Sequence, residues 1–73
     1  MLENQDIITT RILAFLTDHF EHWYTANELA AEAVISANVK DIKASLPQLK
    51  KDGLIRAKQD NGEWYHQALS YYF

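Results

Sequence analysis

The sequence predicts an α+β fold in which three helices precede a C-terminal β-hairpin. Over residues 7–49, apolar side chains recur every three to four positions, as they do on the buried face of a helix. The run NVKDIKASLPQLKKDGLI, residues 38–55, joins such a helix directly to a β-prone segment through Gly53. An Asn-Gly pair at residues 61–62 then separates two β-prone runs, which is a strong hairpin signal.

Length and composition indicate one small folded domain spanning residues 1–73. Of the 73 residues, 48% are hydrophobic, which is too apolar for a disordered tail. The sequence has no cysteine, which excludes disulfides and thiolate metal sites and favours a cytoplasmic location. Residues 1–6 lack a basic leader region, and no apolar run approaches the roughly 20 residues that span a bilayer, so we expect no membrane association.

The first helix is predicted over about residues 5–20. Its apolar residues lie three to four positions apart, as an amphipathic helix requires, and include Ile8, Ile12, Leu16 and Phe20. Near its end, His19 and His22 have a spacing that could bring two imidazoles to one metal ion. A structural zinc site normally needs four protein ligands, so we expect no metal and no cofactor.

The second helix is predicted over about residues 26–34, after the β-prone pair Trp23-Tyr24. Thr25 and Glu28 form a capping box, because each side chain satisfies the backbone amide of the other at the helix start. Leu29, Ala30 and Ala33 are expected on the buried face, and Val34 and Ile35 in the following turn.

The third helix is predicted over about residues 38–52, with Ile42, Leu46 and Leu49 facing the core. Asn38 is the expected N-cap and Ser36 the alternative. Gly53 is expected to end the helix in the left-handed conformation. Pro47 removes one helical hydrogen bond, which predicts a bend at that position.

The hairpin is predicted over about residues 54–69, with its turn at Asn61-Gly62. Either Trp64 packs over the core while Tyr65 and His66 alternate outward, or the reverse, since a one-residue shift in register exchanges the two faces of a strand. Asp60 and Glu63 flank the turn and make its tip acidic.

This order of helices, Gly53-Leu54-Ile55 and a hairpin resembles the winged helix-turn-helix family of DNA-binding domains over residues 7 to about 69. The spacing from Leu29 to Ile42 is about two residues longer than the shortest one in that family. The resemblance implies a sequence-specific DNA-binding protein, a transcriptional regulator whose third helix enters the major groove of double-stranded DNA. The alternative is a winged-helix module that binds proteins and not DNA, because fold does not fix function.

The resemblance also implies which residues contact DNA. In the third helix, polar and basic side chains would contact bases or phosphates, and Ala44 would allow close approach or contact a thymine methyl group. In the hairpin, basic residues and Asn61 would reach phosphates or the minor groove. The full set is Asn38, Lys40, Lys43, Ala44, Gln48, Arg56, Lys58 and Asn61.

Charge is distributed unevenly, although the net charge is only −3. The segment from Lys40 to Lys58 has a net charge of +4 and the remainder −7. A basic third helix on an otherwise acidic molecule fits DNA binding better than the net charge alone does.

Other functional classes have less support in the sequence. There is no glycine-rich phosphate loop and no nucleophile paired with a base, so we do not expect an enzyme. The aromatic end, Tyr71 to Phe73, is expected to cover either the protein's own first helix or a second copy, which would make a homodimer.

Overall fold

The computed structural model describes residues 2–69, which form an α+β domain of three helices followed by a two-stranded antiparallel hairpin. The elements are α1 Leu2–Asp18, α2 Ala26–Ala30, α3 Val39–Lys51, β1 Ile55–Asp60 and β2 Glu63–Ala68. The predicted fold class is thus confirmed at this level. Among the described residues, no helix combines the length and apolarity needed to cross a membrane. The aromatic residues Tyr71 to Phe73 lie outside the described part.

A single apolar core lies between the helices and one face of the hairpin. The expected inward positions of α3, Ile42, Leu46 and Leu49, are all buried in it. The other buried apolar side chains come from every element and from the loop before α3: Ile12, Phe15, Leu16, Ala26, Leu29, Ile35, Ile55 and Ala68. This packing fixes which side of α3 faces solvent.

Polar contacts also hold α3 against α1. Ser45 is buried on the inner side of α3, and its Oγ accepts a hydrogen bond from Thr9 Oγ1 at 2.9 Å. Gln5 Nε2 donates to the same Ser45 oxygen and, at 3.2 Å, to the carbonyl oxygen of Asp41. Because a buried hydroxyl is costly without a partner, these bonds support one rotational setting of α3.

Helix α2 has the predicted capping box but is shorter than predicted. Glu28 N donates to Thr25 Oγ1 at 3.1 Å, and Thr25 N donates to Glu28 Oε1 at 2.8 Å. After Ala30 the chain turns, and Ser36 adopts a positive φ of 55°. The turn buries Ile35 completely while Ala33 is exposed, contrary to expectation. Burial of the isoleucine side chain offsets the helical hydrogen bonds that a longer α2 would make.

Both ends of α3 follow the local signals in the sequence. Asn38 is the N-cap, and its Oδ1 accepts from Asp41 N at 2.8 Å. At the other end, Gly53 has a φ of +76° and donates to the carbonyl of Lys50, while Leu54 donates to that of Leu49. This pair of bonds is a Schellman motif. The helix runs without interruption through Pro47.

The hairpin has a two-residue turn and a fixed register. Asn61 and Gly62 have φ values of 53° and 81°, as a type I′ turn requires. Ile55 pairs with Ala68 and Ala57 with His66 on the inner face, so the intervening Arg56 lies on the outer face.

Residue Tyr24 adds a single-residue β-bridge to the free edge of β2. Its amide donates to the carbonyl of His66 at 2.9 Å, and the amide of His66 donates back at 2.7 Å. The register places Trp64 and His66 on the same face of the hairpin and Tyr65 on the other, so the expected opposition of Trp64 to His66 is wrong. His66 is buried, whereas Trp64, nearer the turn, is 51% exposed.

Candidate nucleic-acid interface

The exposed side of α3 carries two adjacent lines of side chains. Lys40, Ala44 and Gln48 follow one another at intervals of four residues, and all are exposed. The next line, on the side toward the hairpin, is Lys43, Pro47 and Lys50. We call these the outer line and the groove line of α3.

The lysines of α3 are not neutralised within the described part of the chain. The ion pair found there joins His19 to Asp18, at 3.9 Å and far from α3 in sequence. The side chains of Lys40 and Lys43 make no hydrogen bond with any described residue, so their ammonium groups are available to an anionic partner.

Two amide side chains expected to read DNA already have partners. Asn38 uses its Oδ1 as the helix cap, which leaves its amide NH₂ to donate elsewhere. Gln48 Nε2 donates to Asp52 Oδ1 at 2.9 Å across one turn of α3. This contact is exposed, so a stronger acceptor could replace it at little cost.

An open groove separates α3 from the hairpin. Its volume is about 520 Å³, and it is lined by the groove line of α3, by residues 25–27 and by the inner face of the hairpin. Trp64 forms part of its wall, with Lys50 Nζ 5.5 Å from the centre of the indole ring. His66 also lines the groove, and burial lowers the pKa of its imidazole.

The outer face of the hairpin carries the other two predicted basic residues. Arg56 and Lys58 both lie over the ring of Trp23, at 5.1 Å and 4.4 Å from its centre. Arg56 Nε also donates to Oε1 of the buried Gln67 at 2.8 Å. The side chains on β1 alternate, so these cations point away from the groove.

The tip of the hairpin is exposed and acidic. Asp60 and Glu63 are directly opposite one another and flank Asn61 and Gly62. Two like charges in this position repel each other and any phosphate that approaches. Asn61, in the turn between them, is neutral and polar.

The structure therefore divides the eight predicted residues between separate surfaces. Five of them, Asn38, Lys40, Lys43, Ala44 and Gln48, lie on α3 or its cap, and three lie on the hairpin. Sequence reasoning missed Lys50 and Trp64 as a pair, and also the role of Trp23. The alternation of side chains along β1 could have assigned Arg56 and Lys58 to one face of the hairpin. Which tryptophan lies on that face depends on the strand register, which the sequence does not give.

The histidines form no metal centre within the described residues, where no group of three or more His, Cys, Asp or Glu residues could hold an ion. His19 stacks on Phe15 with ring centres 4.1 Å apart, and its Nδ1 lies 2.9 Å from the Phe15 carbonyl oxygen. These contacts indicate a packing role for this residue.

Comparison with known proteins gives no relative for this chain. No family model matches it, and neither do the curated proteins or the solved structures. Any functional conclusion therefore depends on the chain's own residues and geometry.

Proposed function

We propose that this protein is a small sequence-specific DNA-binding protein of the winged helix-turn-helix type, a transcriptional regulator that places α3 in the major groove. The observation that carries the proposal is the exposed side of α3, where Lys40 and Lys43 flank Ala44 without any acidic partner among the described residues. An exposed helix of this kind has the dimensions and charge that the major groove accepts.

The order of the elements supports the proposal. Three helices, a β-bridge at Tyr24 and a hairpin beside α3 are compatible with a winged-helix layout. The α1 and hairpin contacts bury one side of α3, so the other side is presented by a rigid core. A recognition helix needs such support because base contacts depend on fixed geometry.

Each α3 residue has a role consistent with its surroundings. Lys40 and Lys43 would bind phosphates or guanine edges, and the small side chain of Ala44 would allow close approach or contact a thymine methyl group. Asn38 would donate through its free amide NH₂. Gln48 would exchange its exposed bond with Asp52 for one to a base or phosphate.

The hairpin would contribute less than the resemblance implies. Arg56 and Lys58 project from the face opposite the groove, so they would add positive potential and phosphate contacts only where DNA extends past the hairpin. Asn61 at the tip would reach the backbone or minor groove. A domain this small makes few contacts, so the proposal includes a homodimer on two half-sites, with Tyr71 to Phe73 as its candidate surface.

The test is fluorescence anisotropy of the protein with random duplex DNA at several salt concentrations, comparing the wild type with a Lys40→Gln, Lys43→Gln variant. The logarithm of the wild-type affinity should fall linearly with the logarithm of salt concentration. Loss of two phosphate contacts should reduce that slope by about two and weaken binding at low salt.

A matched control is Thr10→Glu with Ala14→Glu, which changes the net charge by the same amount on the exposed side of α1. This control should keep most of the wild-type affinity, because a local contact is lost only in the α3 variant. Equal loss in both variants would show that net charge alone governs binding, and would contradict the assigned role of α3.

A protein-binding module is the second candidate, favoured by one observation. The hairpin tip, which would approach the DNA backbone, carries Asp60 opposite Glu63. The same titration separates the two functions, since a protein-binding module would not bind duplex DNA even at low salt.

A further inference from the structure

The groove between α3 and the hairpin has the size and lining of a small-molecule site. Its volume of about 520 Å³ lies within the roughly 300–1,000 Å³ of known ligand sites. Leu46, Pro47 and Ala57 supply apolar surface along its length. Such a lining favours a ligand with a flat apolar body.

One wall of the groove is the ring of Trp64, which is not buried in the core. Trp64 is 51% exposed, although the other β2 residues on its face of the hairpin, His66 and Ala68, are buried. Lys50 Nζ lies 5.5 Å from its ring centre. An aromatic ligand that stacks on the indole would remove apolar surface from water and remain within reach of this ammonium group.

The charges around the groove favour an anion. Lys43 and Lys50 line it seven residues apart, about 10 Å along the helix axis. Neither forms an ion pair with a described residue, and Glu63, near the hairpin turn, is the acid that lines the groove. Since two ammonium groups face one carboxylate, the groove has an excess of positive charge.

We propose that this groove binds a small planar aromatic anion, whose ring stacks on Trp64 and whose anionic group pairs with Lys50 and Lys43. The inference goes beyond the proposed DNA-binding function and does not depend on it. The two functions share one residue, Lys43, so a bound ligand would compete with DNA for it.

The direct test is a two-dimensional ¹H–¹⁵N NMR titration of the protein with 2-naphthoate, and separately with 1-naphthyl phosphate, which distinguishes a carboxylate from a phosphate ligand. At least one should cause saturable shifts of the Trp64 indole and Ala57 amide signals. The neutral 2-naphthamide should bind at least roughly tenfold more weakly, because charge-assisted hydrogen bonds would be lost. Acetate and inorganic phosphate, which have no ring, should cause no comparable shifts.

Adjacent lysines provide a matched pair of variants. Lys50→Gln should weaken binding roughly tenfold, whereas Lys51→Gln should leave it unchanged, because Lys51 is exposed but does not line the groove. Trp64→Ala should also weaken it. All three positions are exposed, so folding should survive, as circular dichroism would verify.

Several results would overturn the inference. These are the absence of saturable shifts up to millimolar ligand, equal affinity for 2-naphthamide, equal effects of the two lysine variants, or shifts centred on Trp23. Because the titration contains no DNA, a positive result stands even if duplex DNA does not bind. Failure here leaves the DNA titration unaffected.

Discussion

The two faces of the hairpin each pair a tryptophan with basic side chains, but they differ in what surrounds the pair. On the outer face, Trp23 is half-buried beneath Arg56 and Lys58. Buried Gln67 holds Arg56 in place through a 2.8 Å hydrogen bond. On the groove face, Trp64 has one cation, 5.5 Å away, and borders open space.

The difference indicates that a cation–tryptophan pair does not identify a binding site by itself. On the outer face the ring of Trp23 is already covered by two side chains, and the arrangement stabilises the sheet edge. On the groove face the ring of Trp64 has unoccupied space beside it. The adjacent volume, and not the pairing, distinguishes a surface available to a ligand from one used in folding.

The comparison is tested most strongly by removing each tryptophan. Trp23→Ala should lower the free energy of unfolding by about 2 kcal/mol, because it removes half-buried surface and the partner of two cations. Trp64→Ala should cost about half as much, since half of that residue is already in water. Urea unfolding followed by circular dichroism measures both.

Far-ultraviolet spectra of the two variants should match the wild type before urea is added, which controls for misfolding. A larger loss of unfolding free energy in the Trp64 variant would contradict this comparison, because it would show that the groove face contributes more to folding than the outer face.

A smaller effect on stability is expected from replacing the arginine of one face by lysine and the lysine of the other face by arginine. Arg56→Lys should lower the free energy of unfolding by about 1 kcal/mol. The lysine side chain has no Nε–H group to donate to Gln67, so the buried Gln67 oxygen loses this hydrogen bond. Lys50→Arg should be close to neutral, since the ammonium group of Lys50 makes no hydrogen bond with a described residue. Equal costs in urea unfolding would show that Gln67 does not distinguish the faces.

Those parts of the fold that follow from local rules were predictable from the sequence. The capping box at Thr25, the Asn38 cap, the left-handed Gly53 and the Asn61-Gly62 turn each depend on residues within about four positions of one another. Their energies are set by backbone geometry, so short motifs identify them.

Long-range packing set the features that sequence did not predict. Helix α2 ends at Ala30 because burial of Ile35 outweighs further helical turns, a balance that depends on the finished core. Trp23 meets Arg56 only through the Tyr24 bridge and the hairpin register. The α3 surface was predictable because its period is local, whereas the groove needs two distant elements.

The smallest expected effect is a dependence of folding stability on pH, which should arise from His66 on the groove face. Burial, and to a lesser degree the charge of Lys50, lower the pKa of His66, although the Tyr24 carbonyl opposes this by accepting from its Nδ1. The unfolded chain therefore binds a proton at a higher pH than the folded protein does. Stability is fully present above the unfolded pKa of about 6.5 and is lost as pH falls toward the lower folded value.

Urea unfolding between about pH 5.5 and 7.5 should show this decline in the wild type, with the histidine range chosen to avoid most carboxylate titration. His66→Gln should flatten the profile, and the exposed His22→Gln should not.

Lys50→Gln should make the pH profile shallower, because removing a nearby positive charge raises the pKa of His66. Lys58→Gln should have no such effect, since that cation lies over Trp23 on the other face of the sheet. An equal response to both lysine changes would mean that His66 senses net charge, and the two faces would then not be electrostatically distinct.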